Sequence, residues 1–387
     1  MNRLPVKALY LHVPFCARKC YYCDFNTYVA RPEVWERFVQ ALVREIRALG
    51  RLYPDTVLET VYAGGGTPSL LSCRQWQQIF EALRGSFHLA SDAEISLEAN
   101  PGTVDREKLQ VLRELGVNRL SIGAQSFNRE LLRKLGRSHG PEEIVHSVEL
   151  ARSVGGFSLN LDLMFGIPGQ TMEDWRQSLA AAVGLGPDHL SAYGLKVEEG
   201  TPYSRWYDQG VLDLPSEDLE AKMYTALMEF MDKAGYEQYE ISNFARPGAR
   251  CRHNLVYWSN EPYLAAGPGA HGYVDGVRYV VVRNVPVYME LAWEGSSTVE
   301  ERHEVSDEEE MEDTMILGLR LLEGVGDDRF AQRHGRSLFD VFSEPVERYL
   351  RSGLLVQEGS RVRLAREALW ISNEVLQSFL ALSIDKV

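Results

Sequence analysis

Six short β-like runs, at residues 8–13, 60–63, 94–98, 119–123, 159–164 and 189–194, alternate with amphipathic stretches at 33–49, 74–83, 107–115, 142–154 and 172–183. Strands alternating with helices of this length fold as right-handed βαβ units around a parallel sheet. Six such units fall short of the eight that close a full barrel. The fold class expected is therefore α/β, with an incomplete (β/α)6 barrel over residues 1–200. In barrels of this kind chemistry gathers where the C-terminal ends of the strands meet the following loops. The residues at those ends are unusual: His12-Val-Pro-Phe-Cys16, Gly64-Gly65-Gly66-Thr67-Pro68, Glu98-Ala-Asn-Pro101, Gly123-Ala-Gln125-Ser126 and Asp162-Leu-Met-Phe-Gly166.

The chain has 387 residues, room for two or three units. Beyond a helix predicted at 217–234, residues 236–294 are dense in aromatics and glycine and read as a loop-rich stretch within a central region, 201–300. Ser306 and Glu309 form a capping box, and the acidic run 307–310 complements the dipole of the helix that follows. Helices are then predicted at 311–322, 328–334 and 338–352. A hairpin of residues 354–356 and 362–364 turns near Glu358-Gly359, and a last helix covers 373–382. Helices followed by a two-stranded wing predict a helical, winged-helix-like module over 301–387.

Lys and Arg number 41 against 55 Asp and Glu, a net charge of −14. A surface this acidic repels phosphate backbones, so the wing is expected to pack or to form a lid rather than read nucleic acid. Hydrophobic residues at 45% and charged residues at 25% are ordinary for a soluble globular chain. No apolar run approaches the ~18–20 residues of an integral membrane segment. The N-terminal residues lack a signal-peptide core, so the expected compartment is the cytoplasm. Five cysteines, at 16, 20, 23, 73 and 251, are an odd count and poor material for a disulfide framework.

Cys16-Ala-Arg-Lys-Cys20-Tyr-Tyr-Cys23 places three thiols in the loop after the first strand. Thiolates suit zinc or iron–sulfur clusters, but structural zinc wants four ligands and no second pair exists. Three cysteines this close hold three irons of a [4Fe–4S] cubane and leave the fourth open to another ligand. Cys73 and Cys251 have no such company and are expected in the core. The run Gly267-Pro-Gly269-Ala-His-Gly272 formally reads GxGxxG, without the strand–turn–helix context that a dinucleotide site requires.

CxxxCxxC after the first strand of a partial barrel resembles the radical SAM superfamily. The resemblance implies S-adenosylmethionine on the open iron, with Tyr22 at the position that packs on its adenine. It also sets Gly64-Gly65-Gly66-Thr67-Pro68 against the methionine amino group, where glycines admit close backbone approach and bare carbonyls can accept from an ammonium. Tyr10-x-His12-x-Pro14-Phe15-Cys16, Gln125-Ser-Phe-Asn128, Arg137-Ser-His139, Asn160-x-Asp162-Leu and Gly166-x-Pro168-Gly169 extend it to nearly the whole chain. Together they are similar to the oxygen-independent coproporphyrinogen oxidase group. That likeness implies S-adenosylmethionine contacts from Tyr10, Gly65, Gly66, Thr67, Glu98, Gln125, Arg137 and Asp162.

Two departures point within the group. Coproporphyrinogen oxidases resemble CxxxCxxCxC, whereas Phe25 stands at the place of the extra cysteine; only fifteen residues precede Cys16. Both features match the haem-chaperone branch. Cys251-Arg-His253-Asn254-Leu-Val-Tyr257-Trp258 contains HNxxYW, similar to that branch's haem-binding motif, and on a helix His253 and Tyr257 share one face. An imidazole is a common axial ligand to haem iron, so His253 is the expected ligand, with Asn254, Tyr257 and Trp258 beside it. The resemblance thus implies a [4Fe–4S] cluster, S-adenosylmethionine and haem, and delivery of haem to an acceptor haemoprotein; it leaves a homodimer open. A coproporphyrinogen dehydrogenase and a radical SAM methyltransferase are the alternatives.

Overall fold

The structure, a computed structural model, describes residues 4–380. Strands β1 (Ala8–Val13), β2 (Val57–Gly65), β3 (His88–Ala99), β4 (Arg119–Gln125), β5 (Ser158–Phe165) and β6 (His189–Gly194) run parallel in that order, as the alternation predicts. β1, β4 and β5 are buried almost without interruption, as a parallel sheet covered by helices requires, whereas the first half of β3 and the end of β6 reach the surface. Local signals begin the helices: Pro32 opens Pro32–Leu52, and capping boxes at Ser72 and Thr171 start Cys73–Ser86 and Met172–Gly184. Phe38, Leu42 and Ile46 of the first helix recur on one face and pack into the core.

The stretch expected to be loop-rich instead completes the sheet. β7 (Glu237–Gln238) and β8 (Asn243–Ala245) add antiparallel beyond β6, while β9 (Leu264–Ala266) pairs parallel with β1. The sheet therefore has nine strands, in the order β7-β8-β6-β5-β4-β3-β2-β1-β9. Runs of two or three residues carry no readable periodicity, so their pairing is fixed by the sheet edges they meet. A meander of β10 (His271–Val274), β11 (Val277–Val281) and β12 (Val299–Glu304) follows. Buried Glu45, on the first helix, binds this region to the barrel: it accepts from Tyr288 Oη at 2.7 Å, Thr298 Oγ1 at 2.5 Å and the Gly267 amide at 2.7 Å.

The C-terminal part is helical with a wing. Ser306 caps Asp307–Gly318 through the expected box. β13 (Val325–Gly326) joins the hairpin β14 (Leu355–Glu358) and β15 (Arg361–Leu364), giving the order β13-β15-β14. The helix predicted at 338–352 is broken at Phe342 into Leu338–Val341 and Ser343–Ser352. The last predicted helix survives as Ser372–Leu376 and a short turn, Gln377–Phe379; its residues 381 and 382 lie outside the described residues. Among the described residues no helix is long and apolar enough to cross a membrane.

Candidate functional site

β1 delivers the chain through Pro14 and buried Phe15 to the cysteine loop, with Phe15 set edge-on against Phe38 at 5.0 Å. Backbone bonds pin the loop on three sides. The Cys16 amide donates to Tyr28 O at 3.0 Å, the Tyr28 amide to Pro14 O at 2.7 Å, and the Tyr21 amide to Leu135 O at 3.0 Å. The Asn26 side chain donates to Pro268 O at 2.8 Å and Arg283 O at 3.0 Å, clamping the loop to the segment after β9. Cys16, Cys20 and Cys23 are free and half-buried. Burial raises the Cys16 thiol and pushes Cys23 up to about 11.

Two donors nevertheless aim at sulfur: Thr67 Oγ1 at 3.5 Å from Cys16 Sγ and Arg137 Nη1 at 3.6 Å from Cys20 Sγ. Donors of this kind favour the thiolate, and coordination to a metal deprotonates a thiol outright. Among the described residues no three His, Cys, Asp or Glu side chains converge tightly enough for a single ion. A cubane asks for something different, since each thiolate takes its own corner. Three thiols on one pinned loop, two of them met by donors, fit that larger group.

The strand ends that carry the other expected residues surround the loop. Gly65 has φ +102°, and a Cβ there would stand 2.3 Å from the His12 ring; at Gly66 a Cβ would meet Phe15 O at 2.6 Å. No other residue fits either position. The Gly65 amide donates to Glu98 Oε2 at 3.1 Å, and Tyr62 Oη to Glu98 Oε1 at 2.8 Å. Burial, with the nearby Asp162 charge adding to it, lifts the Glu98 carboxyl to about 7. Asp162 is also raised by burial, and accepts from Ser121 Oγ at 3.0 Å and Asn160 Nδ2 at 2.8 Å. Gln125 adopts φ +62° where the β4–β5 register slips after Ile122. A left-handed glutamine at a bulge is an uncommon, strained conformation that re-aims the side chain.

Arg137 is no surface ion-pair residue. Its guanidinium donates to Asn100 Oδ1 at 2.5 Å and to Gly123 O at 2.6 Å, besides Cys20. Asn100 in turn donates to Thr67 Oγ1 at 2.8 Å, so one chain of hydrogen bonds runs from β3 and β4 to two of the three sulfurs. Tyr22, close enough to Arg137 for their charges to interact, lies 6.5 Å from the Tyr203 ring, beside the apolar cluster of Leu131, Leu135, Met164 and Ile167.

A cavity of about 560 Å³ opens next to the loop and brings Tyr10, Gly65, Glu98 and Tyr257 together. Tyr257 belongs to the helix Arg252–Trp258, which forms as expected on the Glu94 carboxylate: the amides of Arg252 and His253 both donate to it at 3.0 Å. His253 departs from expectation. It is fully buried, with Thr60 Oγ1 2.8 Å from Nδ1 and Tyr257 Oη 2.8 Å from Nε2, and it stacks on Tyr62 at 5.3 Å. Burial lowers its pKa to about 3. Both nitrogens of this neutral ring are engaged, so it presents none to the cavity as an axial ligand. Asn254 is half-buried, and Trp258 lies under Arg320, 4.5 Å from its guanidinium carbon. Cys251 is buried, as expected, while Cys73 is only half-buried at its helix start.

Sequence reasoning quoted His12 and Asn100 only as motif members, and both turn out to be structural links of the site. His12 Nε2 donates to Asn26 O at 3.0 Å, which leaves Nδ1 to accept from Tyr10 Oη at 3.0 Å. The glycine run 267–272 serves as a close-packed turn behind β1, where a Cβ at Gly267 would stand 2.3 Å from His12 O. It also places His271 on the cavity, together with Arg283. A histidine inside a glycine run was the available signal.

Residues 10–182 match the radical SAM superfamily and residues 305–371 the HemN C-terminal domain. The chain is 41% identical to the Bacillus subtilis heme chaperone HemW over 97% of this chain and 99% of the relative. It is 35% identical to the Escherichia coli heme chaperone HemW over 98% and 100%. Among solved structures, E. coli coproporphyrinogen III oxidase (HemN), described as a radical SAM enzyme, superposes with a TM-score of 0.85 at 24% identity, covering 98% of this chain and 91% of that one. At that identity the likeness concerns the fold.

Proposed function

The chain belongs to the radical SAM superfamily and, within it, to the heme chaperone HemW family, and from that premise we propose that it is a haem chaperone with a cluster-bearing barrel. Cys16, Cys20 and Cys23 would hold a [4Fe–4S] cluster, which would supply electron transfer and a binding place for S-adenosylmethionine. Glu98 and the backbone of Gly65 and Gly66 receive the amino group. Arg137 and Thr67 bind S-adenosylmethionine as well as steadying the cysteine loop, while Tyr10, Tyr22, Gln125 and Asp162 wall the nucleotide. The central region offers haem a place at the cavity mouth, and haem passes from there to an acceptor haemoprotein in the cytoplasm.

One observation carries this reading: Tyr257 of the HNxxYW helix lines the same cavity as Tyr10, Gly65 and Glu98. Phe25, where an oxidase of this group has a further cysteine, lines it too and is 60% exposed. The HemN-like fold favours a second reading, a coproporphyrinogen dehydrogenase. Anaerobic reconstitution followed by haem titration and product analysis on one sample separates them. The chaperone reading expects about one haem per chain and no decarboxylation of coproporphyrinogen when reductant and S-adenosylmethionine are supplied. Protoporphyrinogen formation without specific haem uptake would replace it with the oxidase.

A further inference from the structure

Of the chain's nine histidines, His12, His189 and His253 have both ring nitrogens hydrogen-bonded, while His139, His303 and His334 have one bonded and do not line the cavity. Of the other three, His88 opens β3 at the end of the sheet opposite the cysteines, and His146 is exposed on the Pro141–Val154 helix. The third, His271, opens β10 on the cavity that holds Tyr257 and Glu98. Its side is exposed, and neither ring nitrogen has a hydrogen-bond partner among the described residues. We propose that His271, rather than His253, supplies the axial imidazole to haem at the cavity mouth; this rests on the haem-chaperone reading above.

The surroundings suit a flat, apolar dianion. Phe25 and Tyr28, 60% and 41% exposed, give aromatic surface on the rim. Exposed apolar rings at a cavity mouth mark a surface that a ligand covers. Arg283 and Lys19 stand on the same rim. Arg283 has no carboxylate within ion-pair distance among the described residues, and the only hydrogen bond of the Lys19 ammonium there is a long one, 3.4 Å to Phe25 O. Two cations with no acid partner match the two propionates of haem through charge-assisted hydrogen bonds. Asp24 and Glu98 face the same cavity. Their charge would disfavour a propionate on that side of the cavity. Partial burial and the Arg283 charge, against the opposing pull of Glu301, lower the His271 pKa, which favours the neutral ring with a free lone pair, the state in which imidazole binds iron.

The test uses the full chain after anaerobic cluster reconstitution, titrated with ferric haem and followed by its absorption spectrum. His271→Ala should move the Soret band and weaken haem at least about ten-fold, a loss that even outer partners of metal ligands produce. Added free imidazole should restore the spectrum of that variant, while iron, sulfide and S-adenosylmethionine binding stay at wild-type levels. His253→Gln should keep the wild-type haem spectrum. If the alanine variant fails to accumulate, His271→Gln replaces it with the same expectation. A wild-type haem spectrum and affinity in the His271 variant would overturn the ligand assignment alone. Absence of haem uptake by the wild-type chain would overturn the chaperone reading and the assignment with it.

Discussion

The cysteine loop and the HNxxYW helix both advertise metal ligands in sequence, yet the fold treats them in opposite ways. The loop carries three half-buried thiols held by backbone bonds to Tyr28 and Leu135, and among the described residues no disulfide or carboxylate consumes its sulfurs. The donors that do reach sulfur, Thr67 and Arg137, favour the thiolate a metal needs. His253 is sealed: Thr60 and Tyr257 take its two nitrogens and Tyr62 covers its face. Motif spacing tells which side chains travel together, whereas ligand chemistry depends on which lone pairs the rest of the chain leaves free. A buried imidazole with both nitrogens bonded is an architectural part, and its loss is felt first as stability.

Four experiments press on this contrast. Replacing Cys20 with Ala should abolish cluster assembly, because two remaining thiolates cannot hold three corners of a cubane; iron and sulfide analysis after anaerobic reconstitution reads it directly. Full occupancy in that variant would take the loop out of the cluster assignment. His253→Ala should lower unfolding stability by about 2–4 kcal/mol, since Thr60 and Tyr257 lose buried partners and Tyr62 loses its stack. Chemical denaturation measures that, and a variant as stable as wild type yet blind to haem would reverse the contrast.

Arg137→Ala probes the link between strand ends and loop. A charge-assisted hydrogen bond is worth roughly 1.5–3 kcal/mol, so S-adenosylmethionine should bind about ten- to a hundred-fold more weakly by calorimetry. Unchanged affinity would confine Arg137 to bracing Asn100, Gly123 and Cys20. The smallest effect is a pH dependence. With the Glu98 carboxyl lifted to about 7, its charge appears only as pH rises through that value, and affinity for an ammonium should climb with it. Glu98→Gln should flatten the profile. The sign for folding is opposite: with a pKa above the ordinary 4.5, Glu98 lends stability that is complete below 4.5 and fades as pH climbs through 7. A flat affinity profile in the wild type would mean that another group receives the amino group.

Much of this was legible because the relevant signals are local. Each of β1 to β6 carries a readable run of four to six residues, although β2 and β3 extend well beyond theirs to Val57–Gly65 and His88–Ala99, and the cysteine spacing sits within one loop. β7, β8 and β9 span two or three residues each and exist only through pairing with distant edges, so no window over the sequence could find them. The enclosure of His253 was hidden for the same reason, because Thr60 and Tyr62 come from β2, far away along the chain. Tyr257 and Glu98 were each singled out, but their shared cavity depends on the Arg252–Trp258 helix lying against β2 and β3. His271 carries little weight in sequence because it stands inside a glycine pattern whose dinucleotide-site context the fold does not build.

The pairing of β9 with β1 has a consequence in time. Leu9 meets Leu264, about 250 residues later in the chain. At roughly 5–20 residues per second, synthesis takes about 10–50 s to reach that partner. For that interval β1, whose end leads into the cysteine loop, has an unpaired edge, and the clamp from Asn26 to Pro268 and Arg283 does not yet exist. Such edges are where nascent sheets recruit wrong partners. The mouth of the barrel is thus among the last parts of the molecule to be finished, and the thiols exposed to oxidant for longest during biosynthesis are those of Cys16, Cys20 and Cys23.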